Sequence, residues 1–356
     1  MSEIKRCKEC GTPLMVSKEN TWYANGVVAQ ARDFDHRMLF YESDNISALF
    51  TGIEHILGLP IDKIVVESKR REVKEYVEKM MSAITRKAVK HVGIGMMIGT
   101  LSRNGQAFGY GDIDLVERRR KNDSDDFITM SVRNPHSIFF FCGEVLGAWE
   151  AIDGRDHFAS YEEVEPGFYR VTCRVGEHPL ELQERLNFKT YPYKPGDIEY
   201  ERCGTCEVPL SVAKYTWDLE AGTIVHPDTR RRMSIFGPRG MEAILDDLEA
   251  ELGETIPETV IEAQRLTVRM AMKDMKWVGD DQRYRKMMAF RGLGNIVMMK
   301  RGDKSLSVRM ENSCIDLMAV GMFQALFELM SGTDTSKYEY AISPDGVMDI
   351  TVSSKN

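Results

Sequence analysis

Four cysteines carry the clearest chemistry in this chain. They come as two Cys-x-x-Cys pairs, Cys7 with Cys10 in CKECGTPL and Cys203 with Cys206 in CGTCEVPL. Two thiolates separated by two residues can take two corners of a tetrahedron, because a tight turn points both sulfurs at one ion. A closed structural zinc site needs four corners. Each pair offers two, and no other Cys or His recurs at matched positions: Cys142 aligns with Met318, Cys314 with Ile138 and His55 with Ala250. The economical arrangement is one structural Zn2+ on a pseudo-twofold axis, ligated by Cys7, Cys10, Cys203 and Cys206. Two partial sites completed by unlike ligands or another subunit, or metal-free or redox use, are the alternatives. A thioredoxin-type dithiol wants its motif at a helix N-terminus. Gly11 and Pro13 after the first pair, and Pro209 after the second, disfavour a helix start there.

The elements that position these pairs repeat with them. Pro13-Leu14 match Pro209-Leu210, Thr21-Trp22 match Thr216-Trp217, and Arg37-Met38 match Arg232-Met233. A self-match at roughly 195 residues is too long for a solenoid repeat, so it reads as duplication of a whole domain. The expected organisation is a first repeat over 1–186, a linker over 187–199 marked by Pro192, Pro195 and Gly196, and a second repeat over 200–356.

Within the first repeat the pattern predicts a hairpin turning at Asn25-Gly26, then a helix from about Asp44, whose side chain would cap it. Ile46, Leu49, Phe50, Ile53, Ile56 and Leu57 form its apolar stripe, and Gly58 stops it. The second repeat has the same design in Met241, Ile244, Leu245, Leu248 and Leu252, ending at Gly253. A longer helix is expected to run to about Arg86 in one copy and Trp277 in the other. It carries Glu67 with Arg70, and Glu262 with Arg265, at i,i+3 spacing. Such a pair is either a surface ion pair or a buried one that fixes the helix against the core or a ligand. The glycine-rich GIGMMIG lacks G-x-G-x-x-G spacing, a Walker lysine and a preceding apolar strand, so it reads as a flexible helix-to-strand connection. Each copy then predicts strand, turn, strand, a strongly apolar helix, and a closing hairpin.

Composition narrows the classes. With 356 residues, 43% hydrophobic and 29% charged, the chain suits two globular domains. A formal charge of -8 argues against a duplex nucleic-acid binder. The basic runs Arg118–Lys121 and Arg230–Arg232 read as solvated loop charge. No apolar run reaches the ~18 residues of a membrane span, and no signal-peptide core follows Lys5 and Arg6. A cytoplasmic location is expected, where seven cysteines stay reduced.

The order hairpin, apolar helix with small residues, hairpin resembles the 4-vinyl reductase family, also described as hydrocarbon-binding proteins. The residues that carry this are SVRNPHSIFFFCGEVLGAWEAI and YEEVEPGFYRVTC in the first copy. In the second they are GNIVMMKRGDKSLSVRMENS, LMAVGMFQALFELMSG and YEYAISPDGVMDITV. The match covers the C-terminal 60 to 70 residues or so of each half. The family's zinc-binding members hold their cysteines inside this module, whereas this chain has its pairs upstream, so no metal ligand is carried over. The resemblance implies an α/β (α+β) module, here in tandem, that encloses small apolar molecules for sensing or carriage.

Independently, Phe139, Phe140 and Trp149 of the first apolar helix, with Met318, Met322 and Phe323 of the second, are candidate ligand contacts or ordinary core. No histidine stands beside a recognisable nucleophile motif, so catalytic residues are unassigned. The leading reading is a binding protein for a small apolar molecule. An enzyme acting on an apolar or aromatic substrate, with His91, His136 or Glu144 converging on one point, is the runner-up. An adaptor for a protein partner, or a homo-oligomer, remains open.

Overall fold

The computed structural model describes residues 4–178, 191–273 and 280–355 as a mixed α/β protein with three antiparallel sheets. Residues 187–190 of the expected linker, and Trp277, lie outside the described residues.

Each Cys pair sits in a turn and is followed by a short helix, α1 (Leu14–Glu19) in the first half and α7 (Leu210–Ala213) in the second. Pro13 and Pro209 stand at their N-caps, so the helix begins after the cysteines, as the prolines imply. The expected hairpins follow: β1 (Asn20–Trp22) with β2 (Val28–Gln30), and β8 (Thr216–Asp218) with β9 (Thr223–Val225). Gly26 takes φ 75 at the first turn, a left-handed conformation natural to glycine. Strands β3 (Asp33–Glu42) and β10 (Arg232–Phe236) then pair antiparallel, Met233 opposite Glu42 and Phe236 opposite Leu39. That pairing joins the ribbons of the two halves into one sheet, ordered β1-β2-β3-β10-β9-β8.

The helices cross between halves. Helix α2 (Ser43–Leu57) packs on α9 (Ile256–Met272), and α3 (Asp62–Met80) packs on α8 (Pro238–Leu252). Ile46, Leu49, Phe50 and Ile53 are buried as the stripe requires, and Gly58 ends α2 in the left-handed region. Ile56 is 42% exposed, so the stripe is narrower than read. Asp44 does not cap α2; its carboxylate accepts from Arg232 N and Nε, both at 3.0 Å. The long helix breaks at Met81, and Ser82 caps the separate α4 (Ala83–Ala88). A π-turn over Val89–Gly93 leads into α5 (Ile94–Phe108). The glycine-rich stretch is therefore helical, not a flexible connection. Ile94, Ile98 and Gly105 are buried in the first half's core, while Gly95 and Gly99 meet nothing within 4 Å. Burial of one face outweighs glycine's low helix propensity.

The C-terminal part of each half is a four-stranded sheet backed by one apolar helix. In the first, β4 (Asp112–Arg119), β5 (Phe127–Arg133), β6 (His157–Glu165) and β7 (Phe168–Val175) run in the order β4-β5-β7-β6, with α6 (Ile138–Asp153). In the second, α10 (Asp281–Phe290) precedes β11 (Asn295–Gly302), β12 (Ser305–Glu311), β13 (Ser336–Ile342) and β14 (Met348–Ser354). These run β11-β12-β14-β13 with α11 (Asp316–Ser331). Helices α3 and α6 approach so closely that a Cβ on Gly147 would lie 2.3 Å from Arg70 O, and one on Gly143 2.7 Å from Val66 O. A Cβ on Gly321 of α11 would likewise lie 2.5 Å from Ile261 O of α9. This places Gly143 opposite Gly321 and corrects the alignment of Cys142, which then faces Val320 and not Met318.

The halves interlock. Gly111 N donates to Gly222 O at 2.9 Å, and Gly294 N to Gly26 O at 3.2 Å, so the sheet of each half rests on the hairpin of the other. Arg37 clamps the same seam, its guanidinium donating to Gly292 O, Asn312 O and Ser313 O.

Candidate functional site

Two places gather chemistry. The first is the cysteine cluster. Each knuckle closes on itself: Cys7 N donates to Thr12 O at 2.8 Å and Cys203 N to Val208 O at 3.0 Å. Gly11 at φ 76 and Glu207 at φ 61 take the left-handed position that follows each pair, so both loops turn alike although only one has glycine there. Each loop is also tied to the other half. Arg6 donates to Trp217 O and Arg202 to Trp22 O, both at 2.7 Å. Glu9 accepts from Gly204 N at 3.1 Å and Thr205 Oγ1 at 2.6 Å.

These ties bring the sulfurs together. Cys7 Sγ lies 3.7 Å from Cys203 Sγ, Cys10 Sγ lies 3.5 Å from Cys206 Sγ, and all four fall within 4.8 Å of one another. The shared arrangement expected from sequence is what the fold builds, and the four thiols could hold a metal ion. Backbone N–H groups of Cys10 and Glu9 pull the Cys7 thiol down to about 7, while burial pushes Cys203 and Cys206 up. Four crowded sulfurs cannot all ionise side by side without a cation to offset their charge.

Glu150, Asp156 and His178 also have ligand chemistry, but their charge is already met. Arg70 Nη1 lies 2.9 Å and Lys74 Nζ 3.2 Å from Glu150, and His178 hydrogen-bonds it as well. Arg70 is 3% exposed and Glu150 fully buried, so the Glu67–Arg70 pair belongs to a core network, the buried alternative. Its counterpart joins Arg265, Glu262 and Glu328.

The second place is a cleft of about 1550 Å3 between the six-stranded sheet and α9, α10 and α11. One wall is apolar: Val268, Met272, Met287, Phe290 and Met322. The other carries Tyr41, Glu42, Asn45, Tyr215, Arg231 and Arg291. Glu42 accepts from Arg231 Nε at 2.6 Å and from Arg291 Nη2 at 3.0 Å. Burial opposes ionisation of Glu42, but the two guanidiniums outweigh it and hold the carboxyl below its usual range.

Of the six apolar candidates, Met322 lines this cleft. Phe140, Met318 and Phe323 are fully buried and Trp149 nearly so, all within the packed cores, and Phe139 packs at the edge of one. The cleft's polar wall was missed because Glu42, Arg231 and Arg291 come from three distant segments. Arg231 stood in a basic run read as solvated loop charge, whereas it and Arg232 pair with Glu42 and Asp44. In the other run, Arg119 is bound by Asp123 and Asp126.

The histidines separate. His91 is exposed, with Nδ1 2.8 Å from Arg120. His136 is fully buried, stacked on Tyr110, with Nε2 3.4 Å from Glu144, which also faces Lys69 at 3.7 Å.

Among the described residues no helix is long and apolar enough to cross a membrane. No family model, curated protein or solved structure matches this chain.

Proposed function

We propose that the protein binds a small hydrophobic molecule, as a sensor or carrier, and that Cys7, Cys10, Cys203 and Cys206 hold one structural zinc. The cleft carries the reading. It is concave, joins an apolar wall to a few convergent polar groups, and lies where two halves meet, the usual setting of a ligand site. Its four lining methionines, Met270, Met272, Met287 and Met322, supply side chains that adapt to a ligand's shape. Zinc is favoured by four soft sulfurs: ligands about 2.3 Å from a tetrahedral zinc lie roughly 3.8 Å apart, close to the 3.7 and 3.5 Å spacings here. Four cysteines close the coordination sphere, so the ion acts as a staple. The matched strand orders and the reciprocal arginine ties support descent of both halves from one duplicated unit, and the 4-vinyl reductase resemblance belongs to this same proposal. Free thiols fit a reducing compartment such as the cytoplasm.

Native mass spectrometry of protein purified without stripping tests both parts. The expected mass is that of one chain with one zinc and a small apolar molecule. A chain that binds no apolar compound even when loaded removes the carrier reading.

The His136–Glu144–Lys69 cluster favours a second reading, an enzyme using His136 and Glu144 as acid and base. It ranks lower because His136 is fully buried and does not line the cleft.

A further inference from the structure

The polar wall of the cleft holds an uneven set of charges. Arg231 and Arg291 share one carboxylate, Glu42, and all three line the cleft. Arg291 is 9% exposed, and its Nε has no hydrogen-bond partner among the described residues. Arg231 Nη2 is also buried without a partner. Guanidinium groups stay charged in proteins. Among the described residues the floor of the cleft therefore carries one positive charge more than Glu42 offsets, and Arg291 Nε and Arg231 Nη2 are left without an acceptor.

Among the described lining residues no other group cancels it: Tyr215 hydrogen-bonds Arg291, but burial opposes ionisation of its phenol. His226 Nδ1 accepts from the backbone N–H groups of Asp228 and Thr229, at 3.1 and 3.2 Å, which leaves its proton on Nε2. Its ring is neutral: burial holds it below the usual histidine range. Asn45, 4% exposed, donates to Tyr41 and keeps an unpartnered amide oxygen. The remaining ionised lining groups, Glu199, Glu201, Asp228 and Asp280 with Lys214, Arg283 and Lys286, are all exposed. Those rim charges are solvated and screened. A buried unmatched charge with unmatched donors is costly, and an anion relieves both at once.

From this we infer that the cleft recognises a monoanionic amphiphile, its carboxylate held by Arg231 and Arg291 and its apolar body lying along Val268, Met272, Met287, Phe290 and Met322. A single carboxylate matches the single excess charge and the arginine fork. The inference rests on the ligand-binding reading and names the class of its ligand.

Calorimetric titration with octanoate, 1-octanol and acetate tests it on the full chain. Octanoate binds roughly tenfold to a hundredfold tighter than octanol, the range of a charge-assisted hydrogen bond, and acetate binds far more weakly than either. In Arg231→Gln the octanoate preference collapses while octanol affinity stays; Arg231→Lys, which keeps the charge but not the fork, restores part of it. Circular dichroism and a thermal melt show that both variants fold. If octanoate and octanol bind equally, or if Arg231→Gln leaves the preference intact, the anion inference is overturned and the ligand-binding reading stands. If neither eight-carbon compound binds, the ligand-binding reading fails with it.

Discussion

Raising the pH from about 6 to about 9.5 will destabilise this protein through His178, and a variant lacking the imidazole will not show that loss. Two carboxylates hold the ring: Nε2 contacts Glu150, and Nδ1 lies 3.2 Å from Glu67. Burial disfavours the imidazolium, but the hydrogen bonds it donates to Glu150 and Glu67 outweigh this and raise the group from 6.5 to about 9. A folded-state pKa above the unfolded one contributes stability that is complete below pH ~6.5 and lost as the pH climbs through ~9. At about 1.4 kcal/mol per pH unit this is worth up to roughly 3 kcal/mol. Glu150 does not blur the window: burial opposes its ionisation, yet His178 and Arg70 hold it at about 2, so its own contribution fades only in strong acid. The assay is urea unfolding of the native chain and of His178→Gln at both pH values. The native chain should lose about 2 to 3 kcal/mol more than the variant across the interval. Equal losses in the two proteins would refute the reasoning. The second half offers an internal contrast. Glu328 is met there by Arg265, Arg269 and Ser336, none of which titrates near neutrality.

Other perturbations follow from the same contacts. Gly147→Ala forces α3 and α6 apart where a Cβ would meet Arg70 O at 2.3 Å. It should cost about 1–3 kcal/mol or more in denaturant unfolding, whereas Gly99→Ala, in open space, should be neutral or slightly stabilising. Arg37→Ala strands three carbonyls at the seam between halves. A loss of roughly 2–4 kcal/mol is expected in thermal or chemical unfolding. Cys203→Ser should release the bound metal and loosen the ribbon, read as new amide exchange in residues 4–30 and 200–225.

The sequence displayed some of this directly and hid the rest for physical reasons. The cysteine site was legible because a Cys-x-x-Cys turn is a local structure, and two incomplete sites imply each other. The apolar stripe of α2 and its glycine stop were legible for the same local reason. The helix over Ile94–Phe108 was not, because its glycines argue against helix and only burial against the first half's core decides the matter. Arg231 is the most instructive miss. Three basic residues in a row look solvated, yet Arg231 turns inward to Glu42, a residue on the neighbouring strand from the other half. Charge pairing across 189 positions has no signature in a linear pattern. The same holds for Arg70, whose Glu67 neighbour is visible in sequence while Glu150 is not.

Cys7 and Cys10 of one half and Cys203 and Cys206 of the other are proposed to hold one metal jointly. X-ray absorption at the zinc edge, with metal content measured on the same sample, tests this most directly. One zinc per chain surrounded by four sulfurs at about 2.3 Å is the expected result. Two metals per chain, or a shell containing nitrogen or oxygen, would contradict it.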